Sequence, residues 1–136
     1  MDKIIDWLKL AAAAIGGIFV WLWGPCDSLI VVLAAAVALD YVTGVINAFI
    51  HKKASSKTGW EGLLKKVFIF LLVALGSLID RVIPSANGAV RAAVLVFYIA
   101  NEGLSILENA GAMGLPLPEA LKKALSKLSE KSESGE

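Results

Sequence analysis

Two carboxyl groups stand where side chains of their kind are scarce. Asp40 interrupts the run ALDYVTGVINAFIHKK at 38–53, and Glu102 the run YIANEGLSILENA at 98–110, both otherwise rich in apolar residues. An acid so placed can exchange a proton, hold a cation, hydrogen-bond to a neighbouring helix or border water. If its segment crosses a bilayer, the ionised form at the helix centre costs ~2.5–3.5 kcal/mol even on the milder insertion scale. A neutral form, a partner or water is therefore required. Helical spacing supplies candidates. Ala36, Asp40, Gly44 and Ala48 recur every four residues, so one face combines small side chains with an acid, and Thr43, Asn47 and His51 flank it. Tyr98, Glu102, Ser105 and Asn109 form a comparable stripe, with Asn101 and Glu108 beside it. Small residues let helices approach closely, and polar groups then bond across the seam. Ala12–Gly16 and Ala13–Gly17 repeat the device near the N-terminus. The two stripes can pack within one monomer, meet between subunits and come to line an aqueous opening, or form a proton- or ion-coupled site.

Other chemistry finds little support. The single His51 and single Cys26 exclude a His pair, a cysteine metal cluster and an intramolecular disulfide. There is no Ser/His/Asp set and no Gly-rich phosphate loop, and the glycines of Thr58-Gly59-Trp60-Glu61-Gly62 fit a turn and a helix start. The chain is read as no enzyme, with no cofactor and no metal. A net charge of +1 gives nucleic-acid binding no general support.

The elements that would carry these residues are hydrophobic helices. Of 136 residues 57% are hydrophobic and only 18% charged, against roughly a quarter charged in globular chains. The pattern predicts an all-α integral membrane protein with four transmembrane helices at about 4–23, 28–50, 60–83 and 88–110. A transmembrane domain at 1–115 precedes a short amphipathic helix and polar tail at 116–136. Trp7, Trp21, Trp23 and Trp60 sit where interfacial anchors belong. Trp7 to Trp23 spans only about 24 Å, short of the ~30 Å hydrocarbon layer, so the first segment can cross with local thinning or lie at the interface. It is read as retained, because no small-residue cleavage pattern follows it. Thr58 and Glu61 have capping-box spacing for the third helix. In the tail, Leu117, Leu121, Ala124, Leu125 and Leu128 oppose Lys122, Lys123 and Lys127, which suits a membrane surface or packing on other copies. Beyond Ser129 the sequence reads as disordered.

Every cation except Arg81 and Arg91 is a lysine, and the lysines cluster at the N-terminus, between Lys52 and Lys66, and in the tail. The positive-inside rule then gives N-in, C-in, with the second and fourth helices running in the same direction. Asp40 and Glu102 fall within about 3 Å of the same depth on that reading.

The run LDYVTGVINAF, then KKASSKTGWEGLLKKV, LGSLID and NEGLSILENAGAMGLPLP, resembles the phage holin family that includes clostridial toxin-secretion holins. The resemblance implies a multi-pass protein of the bacterial host's cytoplasmic membrane that oligomerises into lesions, releases an endolysin or toxin and times lysis. Its partners would be itself and the lipid bilayer, with endolysin a functional rather than a direct partner. Asp40, Thr43 and Gly44 match an LDYxTG-like element, and Asn101, Glu102, Ser105, Glu108 and Asn109 an NExxSxxEN-like one. With Asn47 they are the candidate oligomerisation or pore-lining residues. The alternative is a small proton- or ion-coupled channel or transporter using Asp40 and Glu102.

Overall fold

A computed structural model describes residues 1–134. Five α-helices follow one another: α1 Asp2–Trp23, α2 Ser28–Ile50, α3 Ser56–Val82, α4 Ala89–Ala112 and α5 Glu119–Ser134, with a single 3-10 turn at Pro84–Ala86 before α4. The first four are each long and apolar enough to cross a membrane. The all-helical, four-span architecture is the one the sequence predicts.

The breaks between helices have local causes. Gly24 ends α1 with φ 79° and ψ −170°, a conformation essentially restricted to glycine, and a Cβ there would lie 2.7 Å from the Arg91 Nε. Asp27 opens α2 by accepting from the Ile30 amide at 3.1 Å. Pro84, which lacks an amide hydrogen, follows α3, and Asn87 and Gly88 turn the chain through left-handed conformations. The first turn of α4 is capped from a distance, because the Asp80 carboxylate accepts from the amides of Val90 at 3.0 Å and Arg91 at 2.8 Å.

Two expectations need correction. Helix α3 starts at Ser56, not near residue 60. Ser55 is its cap, accepting from the Thr58 amide at 3.1 Å and donating to the Thr58 hydroxyl at 2.8 Å. Thr58 is thus inside the first turn, and the Thr58–Glu61 capping box does not form. The tail is also helical through Ser134, beyond the expected limit at Ser129, while 135–136 lie outside the described residues.

Helix α4 is the hub, packing against α2, α3 and α5. The core is Ile30 and Leu33 of α2, Ile69 and Val73 of α3 and Leu95 of α4, with Val37, Phe70 and Tyr98 against it. Gly76 lets α3 and α4 meet closely, since a Cβ there would lie 3.3 Å from the Arg91 Cα. Helix α1 buries no residue and packs mainly on α3. Large apolar side chains such as Trp7, Phe49, Phe68 and Val82 point outward. In a bilayer that surface faces acyl chains, while the helices satisfy their own backbone groups.

Contacts at the two ends set the directions. At one end, here the arginine end, Arg91 meets Asp27 and Arg81 meets the Trp21 carbonyl. At the other, the lysine end, lie the α2–α3 loop with Lys52 and Lys53 and the last turn of α4. Helices α2 and α4 therefore run parallel, with α3 antiparallel to both.

Candidate functional site

Asp40, Lys66 and Glu102 form one cluster between α2, α3 and α4. The Lys66 Nζ donates to the Asp40 Oδ2 and, at 2.6 Å, to the Glu102 Oε2. The side chains are 10% exposed for Asp40, 2% for Glu102 and 18% for Lys66, so all three charges leave bulk water together. Burial on this scale is tolerable only with close pairing and satisfied hydrogen-bonding groups. Asn109 adds further bonds on the Asp40 side, donating to the Asp40 Oδ1 at 3.0 Å and to the Thr43 Oγ1 at 3.0 Å. Thr43 donates its own proton to the Leu39 carbonyl at 2.8 Å.

The cluster follows from helix lengths. Each member stands ten residues from the lysine end of its helix: Asp40 from Ile50, Lys66 from Ser56 and Glu102 from Ala112. At ~1.5 Å per residue all three lie about 15 Å in, near the middle of a ~30 Å layer. The equal depth of the two acids is therefore real, and a shared cation occupies the space between them.

Lys66 is the member of this cluster that the sequence pattern does not single out. In the sequence it counts only among the lysines clustered between Lys52 and Lys66 that orient the chain. The signal that finds it is the cap: with Ser55 rather than Thr58 as the start, Lys66 moves into the apolar interior, while adjacent Lys65 stays exposed.

The remaining candidates divide. Gly44 faces α4, where a Cβ would lie 3.7 Å from the Asn109 Nδ2. Ser105 and Glu108 border a cleft of about 810 Å³ at the lysine end, which also takes in Tyr41, Phe49, Lys53, Ser55 and Trp60 and reaches Asp40 and Lys66 at its floor. Asn47 is brought into none of this; its Oδ1 is buried with no hydrogen-bond partner among the described residues. Asn101 is exposed. Of the tryptophans, Trp7, Trp21 and Trp60 are exposed, whereas Trp23 turns inward and donates its indole N–H to the Phe70 carbonyl at 2.7 Å.

A second charged site closes the arginine end. Arg91 is buried and donates to the Asp27 carboxylate at 2.8 Å and to the carbonyls of Trp23 and Pro25. This arginine beside Asp27 holds its carboxyl below the ordinary carboxylate value of 3.8. Arg81 lies over the Trp21 ring, 4.9 Å from its centre, and donates to the Trp21 carbonyl at 2.9 Å.

Four apolar helices, three of them enclosing a buried three-charge cluster, define a multi-pass membrane protein with a polar seam among its apolar helices. The sequence profile of the bacteriophage holin family matches residues 17–130, which covers α2, α3 and α4 entirely. The chain belongs to that family. It is 37% identical over 131 residues to an uncharacterized 14.9 kDa protein in the nagH 3′ region of Clostridium perfringens, covering 96% of this chain and 99% of that protein. A Listeria monocytogenes protein, uncharacterized Lmo0128, is 40% identical over 118 residues, 87% of this chain and 84% of its own. A probable holin of Bacillus phage phi105 is 39% identical over 87 residues, 64% of each chain. No solved structure matches this chain.

Proposed function

We propose that the chain acts as a holin: it accumulates in the bacterial cytoplasmic membrane with its lysine end inward, oligomerises, and opens lesions that release an endolysin and time lysis. Membership of the bacteriophage holin family supports the role, and the Lys66-bridged cluster is the observation that supports a mechanism. While each monomer keeps its charges paired internally, its outer surface is apolar and compatible with lipid. Opening exchanges those internal partners for water, turning the polar faces of α2 and α4 toward a lumen between copies. One lysine against two carboxylates leaves one surplus negative charge per subunit if all three are ionised. Moving a unit charge across the whole membrane is worth ~2.3 kcal/mol per 100 mV, so a charge halfway across feels about 1 kcal/mol. An energised, inside-negative membrane and its sudden depolarisation thereby act directly on the cluster.

Inducible expression together with a cytoplasmic endolysin tests this reading. Growth should continue and then stop abruptly, with endolysin passing to the wall. Indefinite tolerance of high membrane levels overturns it.

The cleft leading from the lysine end to Asp40 favours a second reading, a proton- or ion-coupled channel using Asp40 and Glu102. It predicts flux in liposomes without protein release, abolished by Asp40→Asn while the oligomer stays intact.

A further inference from the structure

Helix α5 occupies a place that a lipid bilayer does not favour. The sequence suits it to a membrane surface or to other copies, yet here it folds back antiparallel along its own α4. Leu117 packs at Gly111, where a Cβ would come within 3.3 Å of it, and Leu125 packs at Gly103, where the corresponding distance is 3.1 Å. Gly103 is the residue after Glu102, so Leu125 reaches the depth of the charge cluster, about 15 Å from the lysine end. Lys123 and Lys127 are exposed, and the Lys122 side chain is 44% exposed with only a loose contact to Glu119 at 3.9 Å. If lipid surrounded this arrangement, lysine ammonium groups would be held against acyl chains near the bilayer middle. If water surrounded it instead, the apolar side of α5 would be incompletely covered, with Leu121 45% and Leu128 42% exposed.

Both defects disappear on one kind of partner. A bilayer surface with anionic headgroups accepts Leu121, Leu125 and Leu128 below the headgroup level and pairs the lysines with lipid charge. We propose that α5 exchanges between α4 and the anionic surface of the membrane at the lysine end, pivoting on the Met113–Pro118 segment. That segment suits a pivot, with Gly114 at φ 86° and Pro116 and Pro118 preventing a continuous helix from α4 into α5. Departure of α5 uncovers the Gly103 and Gly111 face of α4. The exchange follows from α5 and the spanning helices alone and does not depend on lesion formation.

Cross-linking tests it in the full chain carrying Cys26→Ser. The pair Gly103→Cys and Leu125→Cys should form a disulfide readily in neutral detergent, and at least five-fold less in vesicles of phosphatidylcholine mixed with phosphatidylglycerol. Raising the salt concentration, or replacing Lys122, Lys123 and Lys127 with Gln, should restore the yield by weakening attraction to the surface. A second measurement leaves the α4 contact intact: a nitroxide on Ser126→Cys should report headgroup depth in phosphatidylglycerol vesicles. Equal cross-linking in detergent and anionic vesicles, a loss indifferent to salt and to the lysine replacements, or a nitroxide at the bilayer centre overturns the exchange.

Discussion

Replacing Lys66 with Met removes the only cation from between two carboxylates while keeping an unbranched side chain of similar length. The side chains left behind are 10% exposed for Asp40 and 2% for Glu102. Removing one partner from a buried ion pair costs ~3–5 kcal/mol, because the remaining charge stays desolvated. Asp40 retains the Asn109 bond and borders the cleft, so Glu102 accounts for most of the loss. We expect Lys66→Met to destabilise the bundle by about 3–4 kcal/mol. Glu102→Gln alone keeps the Lys66–Asp40 pair and should change stability by less than about 1.5 kcal/mol, the scale of one net hydrogen bond. Combining Lys66→Met with Asp40→Asn and Glu102→Gln removes every charge and should recover more than half of the Lys66→Met loss. Reversible unfolding in mixed micelles, followed by circular dichroism, gives the coupling as the departure from additivity. A Lys66→Met cost below about 1 kcal/mol, additive with the two amide substitutions, would refute the cluster as a coupled unit.

Other expectations concern the arginine end. Asp27 has a folded value below its ordinary 3.8, so its stabilisation is complete above that value and is lost as pH falls through the folded one. Thermal midpoints measured through the acid range should show that loss, and Asp27→Asn should flatten it. At a side chain 35% exposed the effect should stay within about 1 kcal/mol. Gly24→Ala meets both the glycine-restricted backbone and the Arg91 guanidinium, so a cost of about 1–3 kcal/mol in the same unfolding assay is expected; a neutral result would contradict the Gly24 geometry. Cys26 is exposed beside this end. An impermeant thiol reagent added to intact cells should label it if the lysine end faces inward, whereas labelling only after lysis would reverse the orientation.

Sequence pattern carries the helices because apolar runs of spanning length are interrupted by Gly24-Pro25, the Lys52–Ser55 loop and Pro84. It also carries the equal depth of Asp40 and Glu102, which depends only on counting from helix ends. Lys66 escapes because a lysine near a helix start has two physical solutions, reaching the interface or pairing inside, and a shift in the cap from Thr58 to Ser55 decides between them. The direction of α5 escapes for a related reason. An amphipathic stripe specifies that something apolar covers it, and Gly103 and Gly111 become visible as its seat only once α4 and α5 are placed. Asp80 capping α4 across the turn is equally non-local, since Val90 and Arg91 reveal their need only when the turn closes.

The attachment of α1 has a consequence for how this protein can diversify. Trp23 donates to a carbonyl of α3, and Arg81 and Arg91 grip the carbonyls of Trp21 and Trp23. The arginines' anchor points on α1 are main-chain oxygens, which every amino acid supplies. At those oxygens the hold does not depend on side-chain type. Side-chain contacts come at the C-terminal end of α1, where Arg81 lies over the Trp21 ring and Trp23 donates to Phe70, and no buried side chain on α1 has to be matched. Substitutions along α1 before Trp21 can therefore accumulate without loosening it from the bundle, leaving its outward surface free to suit different lipids or neighbours without disturbing the three-helix centre.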